Sequence, residues 1–300
     1  MTVYIIPTTT AEHVAKNMVG REDFKVIFPE GNKEGKRRFP DNEVYTRIPL
    51  VDELNDKTVV LHSGGPDPNS SYVELDMLLE ILSRYEALPF PQNIPLEVFF
   101  TYFAYGSQDN VFQKGETNFA GNIILKLTEY YGIERLYTID AHFAGRRWMR
   151  DVPVKNVSTF YELEKAVRND YSDVDILYLA PDAGSQRRTG LRGLRKRRLD
   201  SYTTEFQTDE ELATAVKGQV VGVVDDMVRT GSTLIPFYDK CISYGASEVI
   251  ALVTHGVLES GIKRIQDKFS RLYLTNTINR EQANVDITDL VVETIKRGFS

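Results

Sequence analysis

Residues 220–233 read VVGVVDDMVRTGST, and the fold follows from how this stretch is built. Five apolar or glycine residues, 220–224, open it. A short apolar run bounded by turn signals suits a strand buried on both faces of a parallel sheet. Two carboxylates follow, Asp225 and Asp226, and then a loop of small hydroxyl and glycine residues, Thr230, Gly231, Ser232 and Thr233. A helical pattern over 234–244 comes next, with Gly245 as its stop. Pro236 is tolerable there because it falls in the first turn. A second apolar strand at 249–253 completes a strand–loop–helix–strand unit.

Backbone N–H groups and hydroxyls in a small-residue loop at a helix N-terminus make an anion pocket. Gly231 lets the backbone close on a phosphate, and adjacent acids at the strand end can accept hydrogen bonds from two sugar hydroxyls. Phosphate at one end and a diol at the other describe a ribose 5-phosphate site. A bare pair of aspartates would be an ordinary acidic turn; the whole pattern in its βαβ setting points to function. VVDDMVRTGST resembles the phosphoribosyl pyrophosphate (PRPP) loop of type I phosphoribosyltransferases and of PRPP synthetases, the ribose-phosphate pyrophosphokinases.

The chain has 300 residues, room for one large or two ordinary domains. Its 42% hydrophobic and 26% charged content is that of a globular chain able to bury a core. A net charge of −7 argues against general nucleic-acid binding. A single cysteine, Cys241, excludes an intrachain disulfide framework and fits a reducing, cytoplasmic setting, with Cys241 a small core residue. The start, MTVYIIPTTTAEHV, lacks the basic and long apolar segments of a secretory leader. No run approaches the ~18 apolar residues of a membrane helix. Both halves alternate apolar strands with helical patterns, which predicts an α/β chain of two related domains with parallel sheets.

In chain order, strands are expected at 3–6 and 25–28, with a helix over 10–19. Residues 37–45, RRFPDNEVY, read physically as a polar turn entering a strand. They resemble the RFPD(N/G)E segment of PRPP synthetases, which phosphoribosyltransferases lack. The resemblance implies that Phe39 stacks on adenine and that Asp41 and Glu43 bind its amino edge. In that family the segment serves a neighbouring subunit's site, so a homo-oligomer, dimer or higher, is implied. A strand at 58–61 ends near His62, expected to have no role, and a helix is expected over 72–85. A strand at 98–105 leads into YFAYGSQDNVFQKGE, residues 102–116, and a helix over 119–131. That stretch resembles the family's Y-x-x-Y-A-R-Q-D-x-x-F-x-x-G-E at the ATP site, which carries over to Gln108 and Asp109; Ser107 stands where the family has arginine. A strand at 136–139 ends in Asp140-Ala141-His142, at the edge where open α/β sheets place ligands. The family's acid and histidine here lie near the Mg–ATP phosphates. DVPV, 151–154, matches a further family segment, with Lys155 in place of an acid.

A strand at 175–180 ends in Pro181-Asp182-Ala183-Gly184, similar to the family's S-P-D-x-G, whose aspartate is a Mg²⁺-site residue. From 187 to 198 seven basic residues, Arg187, Arg188, Arg192, Arg195, Lys196, Arg197 and Arg198, run without an acid. Such a run is often a solvated face or a nucleic-acid patch; its place between two phosphate-site motifs favours a polyphosphate role. KRRLD, 196–200, resembles the K-x-R catalytic loop, implying Lys196 and Arg198 as catalytic cations, although the interval from the PDAG turn is several residues shorter than usual. Arg229 replaces the acidic or small residue that precedes the loop threonine. A helix over 287–295 closes the chain.

Five segments match in family order between 39 and 255. The resemblance implies two phosphoribosyltransferase-like α/β domains: 1–155 on the ATP side, 156–282 on the ribose-phosphate side, and a helix in 283–300 returning to the first. It implies Mg²⁺-dependent transfer of the β,γ-diphosphoryl group of ATP to the C1 hydroxyl of ribose 5-phosphate, releasing AMP. Asp140, His142 and Asp182 are the implied metal-site residues, and Asp225, Asp226, Arg229, Thr230, Gly231, Ser232 and Thr233 hold the acceptor. No nucleic-acid or membrane partner is expected. The added positive charge of Arg229 and the shortened segment keep open a larger acceptor such as ADP-ribose. A non-catalytic PRPP-binding regulator is the remaining alternative.

Overall fold

The computed structural model describes residues 2–84, 95–182, 184–185, 195–198, 204–207 and 210–299, with the backbone alone described for 84, 195–198, 204–207 and 211–212. The chain forms two compact units. The first comprises 1–157, 277–279 and 288–300, the second 158–276 and 280–287.

The first unit is organised on six strands: β1 (Val3–Pro7), β2 (Phe24–Val26), β3 (Thr58–Ser63), β4 (Leu96–Tyr102), β5 (Arg135–Ile139) and β6 (Val154–Val157). They lie in the order β2-β1-β3-β4-β5-β6, and every neighbouring pair is parallel. Ile5, Ile6, Val59, Val60, Leu61, Val98, Phe99 and Phe100 are wholly buried, as expected of strands covered on both faces. Three helical segments differ from the sequence expectation. The helix expected from 72 spans Pro68–Arg84: proline is tolerated at a first helical position, and Asp67 Oδ1 accepts from Ser70 N at 3.3 Å as a cap. The helix expected over 119–131 is α-helical for Phe119–Leu125, with Asn118 Oδ1 accepting from Gly121 N at 3.0 Å, and continues as a π turn over Lys126–Tyr130. The helix expected over 10–19 reduces to a 3-10 turn, Thr9–Ala11, and one short α-helix, Glu12–Lys16.

The closing helix, Thr288–Arg297, belongs to the first unit. Lys57 Nζ donates to Ile295 O at 3.3 Å and Lys155 Nζ to Gly298 O at 2.6 Å. Orphan carbonyls at a helix C-terminus are stabilised by such cations, so Lys155 has a structural task here.

In the second unit, β7 (Ile176–Leu179), β10 (Val220–Val228), β11 (Glu248–Gly256) and β12 (Arg271–Leu274) form a parallel sheet in the order β12-β11-β10-β7. The helices Phe160–Asp170, Leu234–Ser243 and Glu259–Lys268 belong to this unit. A separate antiparallel pair joins β8 (Arg195–Arg198) to β9 (Thr204–Gln207). Among the described residues no helix is long and apolar enough to cross a membrane. Both units are thus α/β, each on a parallel sheet.

Candidate active site

In the second unit β10 runs to Val228, four residues beyond the apolar run, so Asp225 and Asp226 lie inside the strand. Its pairing with β7 ends at Val223–Leu179, whereas pairing with β11 continues to Val228–Gly256. The two acids therefore stand where β10 has lost one neighbour, at the carboxyl edge of the sheet. The turn after β7 reaches them there. Asp182 Oδ1 accepts from Gly184 N at 2.8 Å and Ser185 N at 2.9 Å, and Ser185 Oγ donates to Asp225 Oδ1 at 2.6 Å. Asp225 Oδ1 also accepts from Asp226 N at 3.0 Å. Asp225 and Asp226 are buried, 6% and 7% exposed. Burial first, and then the charges of Asp226 and Asp182, push the Asp225 carboxyl well above the usual carboxylate range, against the pull of the Ser185 hydroxyl.

The loop follows. Arg229, Thr230 and Ser232 are exposed, and Thr230 Oγ1 donates to Ser232 Oγ at 3.1 Å. Gly231 has φ +78°, a left-handed conformation that glycine adopts freely. Two contacts outside the loop fix its backbone. Arg264 Nη1 donates to Thr230 O at 2.6 Å. The Arg229 carbonyl packs on Gly261, where a Cβ would sit 1.8 Å from the oxygen.

In the first unit the corresponding edge carries the turns after β4 and β5. Asp140, just beyond β5, has φ +36°, and Tyr105, beyond β4, has φ +60°; non-glycine residues held in this region concentrate at functional sites. Ala141 N donates to Asn156 Oδ1 at 2.8 Å, which fixes the start of the turn that carries His142. Gln108 is exposed, and Asp109 is buried with both oxygens engaged by Arg146: Nε to Oδ2 at 2.7 Å, Nη2 to Oδ1 at 3.0 Å. Phe39, Asp41 and Glu43 lie exposed on a hairpin closed by Phe39 N donating to Glu43 O at 2.9 Å. Its base is anchored by Arg37, paired with Glu74, and by Arg38, whose Nη2 donates to Asp67 Oδ2 at 3.1 Å. His62 is buried, its Nδ1 3.2 Å from Thr8 Oγ1, and burial lowers its pKa to about 3, so it is a neutral core residue.

Lys196 and Arg198 stand on β8; their side chains lie outside the described residues, as do Ala183, Arg187, Arg188 and Arg192. Asp140 and His142 belong to the first unit and Asp182 to the second. Among the described residues no three His, Cys, Asp or Glu side chains converge as a metal cage. Sequence reading missed Ser185, Arg264, Gly261 and Arg146. Ser185 follows the PDAG turn directly and was within reach of a motif argument. The other three act across the fold and carry no spacing signal.

No family model matches the chain. Curated relatives do. A ribose-phosphate pyrophosphokinase of Thermococcus kodakarensis is 30% identical over 263 residues, 84% of this chain and 88% of the relative. The one from Pyrococcus abyssi is 29% identical over 269 residues, 86% and 88%. The one from Methanopyrus kandleri is 27% identical over 270 residues, 86% and 88%. Among solved structures, phosphoribosylpyrophosphate synthetase from Mycobacterium smegmatis superposes with a TM-score of 0.77 at 20% identity, covering 99% of this chain and 98% of that one; at that identity the likeness speaks for the fold.

Proposed function

The chain belongs to the ribose-phosphate pyrophosphokinase family, a family of diphosphokinase-type transferases, and from that we propose that it makes PRPP from ATP and ribose 5-phosphate, releasing AMP. The C1 hydroxyl oxygen forms a bond to the β-phosphorus of ATP and gives up its proton to solvent, and the bond from that phosphorus to the α-phosphate oxygen breaks. Such transfers depend on in-line positioning and charge neutralisation, with little covalent work for the protein.

The observation that carries this reading is the hydrogen-bonded array Asp182–Ser185–Asp225 beside a small-residue loop at one sheet edge. Asp225 and Asp226 orient the ribose diol, and the amides and hydroxyls of 230–233 hold the 5-phosphate. On the nucleotide side Phe39 stacks on adenine, Asp41 and Glu43 accept from its amino edge, Gln108 binds the nucleotide, and His142 donates to phosphate oxygens. Phe39 on its hairpin is 40% exposed, which supports its service to a neighbouring subunit; a fully active monomer by sedimentation would contradict that. Lys196 and Arg198 neutralise charge on the transferring group and on departing AMP.

The oxygen donors suit Mg²⁺, a hard cation that needs only one or two carboxylates beside substrate phosphates and water. Asp182 keeps Oδ2 without a hydrogen-bond partner among the described residues. Asp140 in the first unit and Asp182 in the second are each a candidate ligand for such an ion, which when bound would neutralise phosphate charge.

Arg229, exposed beside the phosphate loop, favours a second reading: the same chemistry on an acceptor with more phosphate, such as ADP-ribose. Measuring AMP release from Mg–ATP with each acceptor separates the two. AMP with ribose 5-phosphate supports the first, AMP with ADP-ribose alone the second. PRPP binding without AMP from either acceptor would replace both with a non-catalytic regulator.

A further inference from the structure

Asp109 lies on the turn after β4 and is 1% exposed, and its carboxylate is held bidentately by Arg146. Trp148 Nε1 donates to the Asp109 carbonyl at 3.1 Å. Arg146 lies four residues beyond His142, on the turn after β5, and its side chain is 43% exposed. β4 and β5 are adjacent parallel strands, so both turns share the carboxyl edge. They touch, because a Cβ on Gly106 would lie 3.7 Å from His142 Cβ.

A guanidinium offers five N–H donors in a rigid planar fork. Asp109 takes the Nε–Nη2 edge, and Nη1 has no partner among the described residues. A buried carboxylate behind and a half-exposed cationic edge in front make a pre-oriented anion receptor. The geometry is fixed by the bidentate contact, so little side-chain entropy is lost when a ligand arrives. The field is reinforced by Arg147 and Arg150, both exposed on the next turn. A planar fork with this charge recognises phosphate oxygens.

We propose that Arg146 is a polyphosphate-contacting residue of the first unit and that Asp109 positions it instead of touching the nucleotide. This rests on the reading of the first unit as the nucleotide half. It also gives the edge that carries Ser107 a guanidinium supplied from the neighbouring turn.

The test uses the whole chain and its only tryptophan, Trp148, as a reporter beside Asp109. Tripolyphosphate is titrated against Trp148 emission and ATP by calorimetry, for wild type, Arg146→Ala, Arg146→Lys, Asp109→Asn and the Arg146→Ala/Asp109→Asn double variant. Arg146→Ala is expected to weaken both ligands about 10–100-fold, the usual scale for a lost charge-assisted hydrogen bond. Arg146→Lys keeps charge without the fork and should fall between wild type and Arg146→Ala. Asp109→Asn should weaken ATP about tenfold, and the double variant should be no worse than Arg146→Ala, because the carboxylate acts only through the guanidinium. The loss should appear in the KM for ATP, with kcat much less affected. A mere staple between two turns would lower the melting temperature of every variant and leave ligand affinity unchanged. Wild-type affinity in folded Arg146→Lys or Arg146→Ala, or a wild type that binds neither ligand, would overturn the proposal. A wild type that binds ATP but releases no AMP would overturn the pyrophosphokinase reading instead, and the affinities would still judge Arg146.

Discussion

Gly261 offers the sharpest test of how the acceptor loop is held. It sits in the first turn of the helix Glu259–Lys268, wholly against the loop backbone. A Cβ there would lie 1.8 Å from the Arg229 oxygen, 2.6 Å from its carbonyl carbon and 3.2 Å from Thr230 N. All three are backbone atoms, so no flexible side chain can give way. Reaching ordinary nonbonded separation would move the Arg229 carbonyl by about 1.5 Å. Thr230 and Gly231 follow it directly and would move as well. A displacement of about 1 Å in a positioning element commonly costs on the order of 10²-fold in rate, while overpacking costs about 1–3 kcal/mol of stability. Gly261→Ala should therefore lower kcat/KM for ribose 5-phosphate about 10²-fold, leave ATP binding by calorimetry unchanged, and lower the melting temperature by a few degrees. Gly245→Ala is the control. Its φ of +84° also strains an alanine, with only Lys217 Cγ nearby at 3.5 Å, so it should lose stability and keep its acceptor KM. An unchanged acceptor KM in Gly261→Ala would mean that the loop does not hold the acceptor in this conformation.

Three further outcomes follow. Lys196→Ala and Arg198→Ala should each lower turnover on the order of 10²–10³-fold with little change in ATP affinity, whereas small and similar effects in these and in Arg192→Ala and Arg195→Ala would mark a merely solvated basic face. Asp225 is raised by burial and by Asp226, so its contribution to stability is complete below the ordinary carboxylate range and is lost as pH rises toward its folded pKa. Asp225→Asn should thus melt higher than wild type at neutral pH and converge with it near pH ~3; parallel melting curves across that range would refute the raised carboxyl. Glu97, wholly buried at the amino end of β4, accepts from Lys57 Nζ at 2.8 Å, Arg135 Nη1 at 3.1 Å and Tyr137 Oη at 3.0 Å. Glu97→Gln should cost about 3–5 kcal/mol in denaturant unfolding by stranding the buried Lys57 charge, and unchanged stability would show that the network is dispensable.

The sheets were legible because their strands are apolar runs without alternation, the mark of burial on both faces, at 58–61 as at 220–224. Helix starts were less so. Pro68, Asn69 and Ser70 belong to a turn vocabulary, and only the Asp67 cap makes them a first helical turn. The candidate acids near the sheet edges, Asp140 in the first unit and Asp182 and Asp225 in the second, stood out because the segments that carry them follow the family's order along the chain. Partners that reach across the fold did not. Nothing in the sequence around Asp109 shows that Arg146, thirty-seven positions later, engages both of its oxygens. Lys155 reads as a departure until its ammonium meets the Gly298 carbonyl at the other end of the chain.

The unequal strand pairing at β10 accounts for the chemistry of its acids. A buried carboxylate beside a second one is costly unless something holds the backbone that carries it. Pairing with β11 continues past both acids to Val228–Gly256, so both lie within a paired stretch of strand. Pairing with β7 stops at Val223–Leu179, and the chain after β7 turns back through Asp182 and Ser185 to reach Asp225. Had β7 continued alongside, its backbone would take the place of the turn that carries Asp182 and Ser185 to Asp225. Had β11 stopped as early, the two acids would ride on a loop free to swing apart under their own repulsion. One neighbour kept and one withdrawn is the arrangement in which this strand holds two buried carboxyl groups side by side at the carboxyl edge of the sheet, one of them raised by burial and by the other.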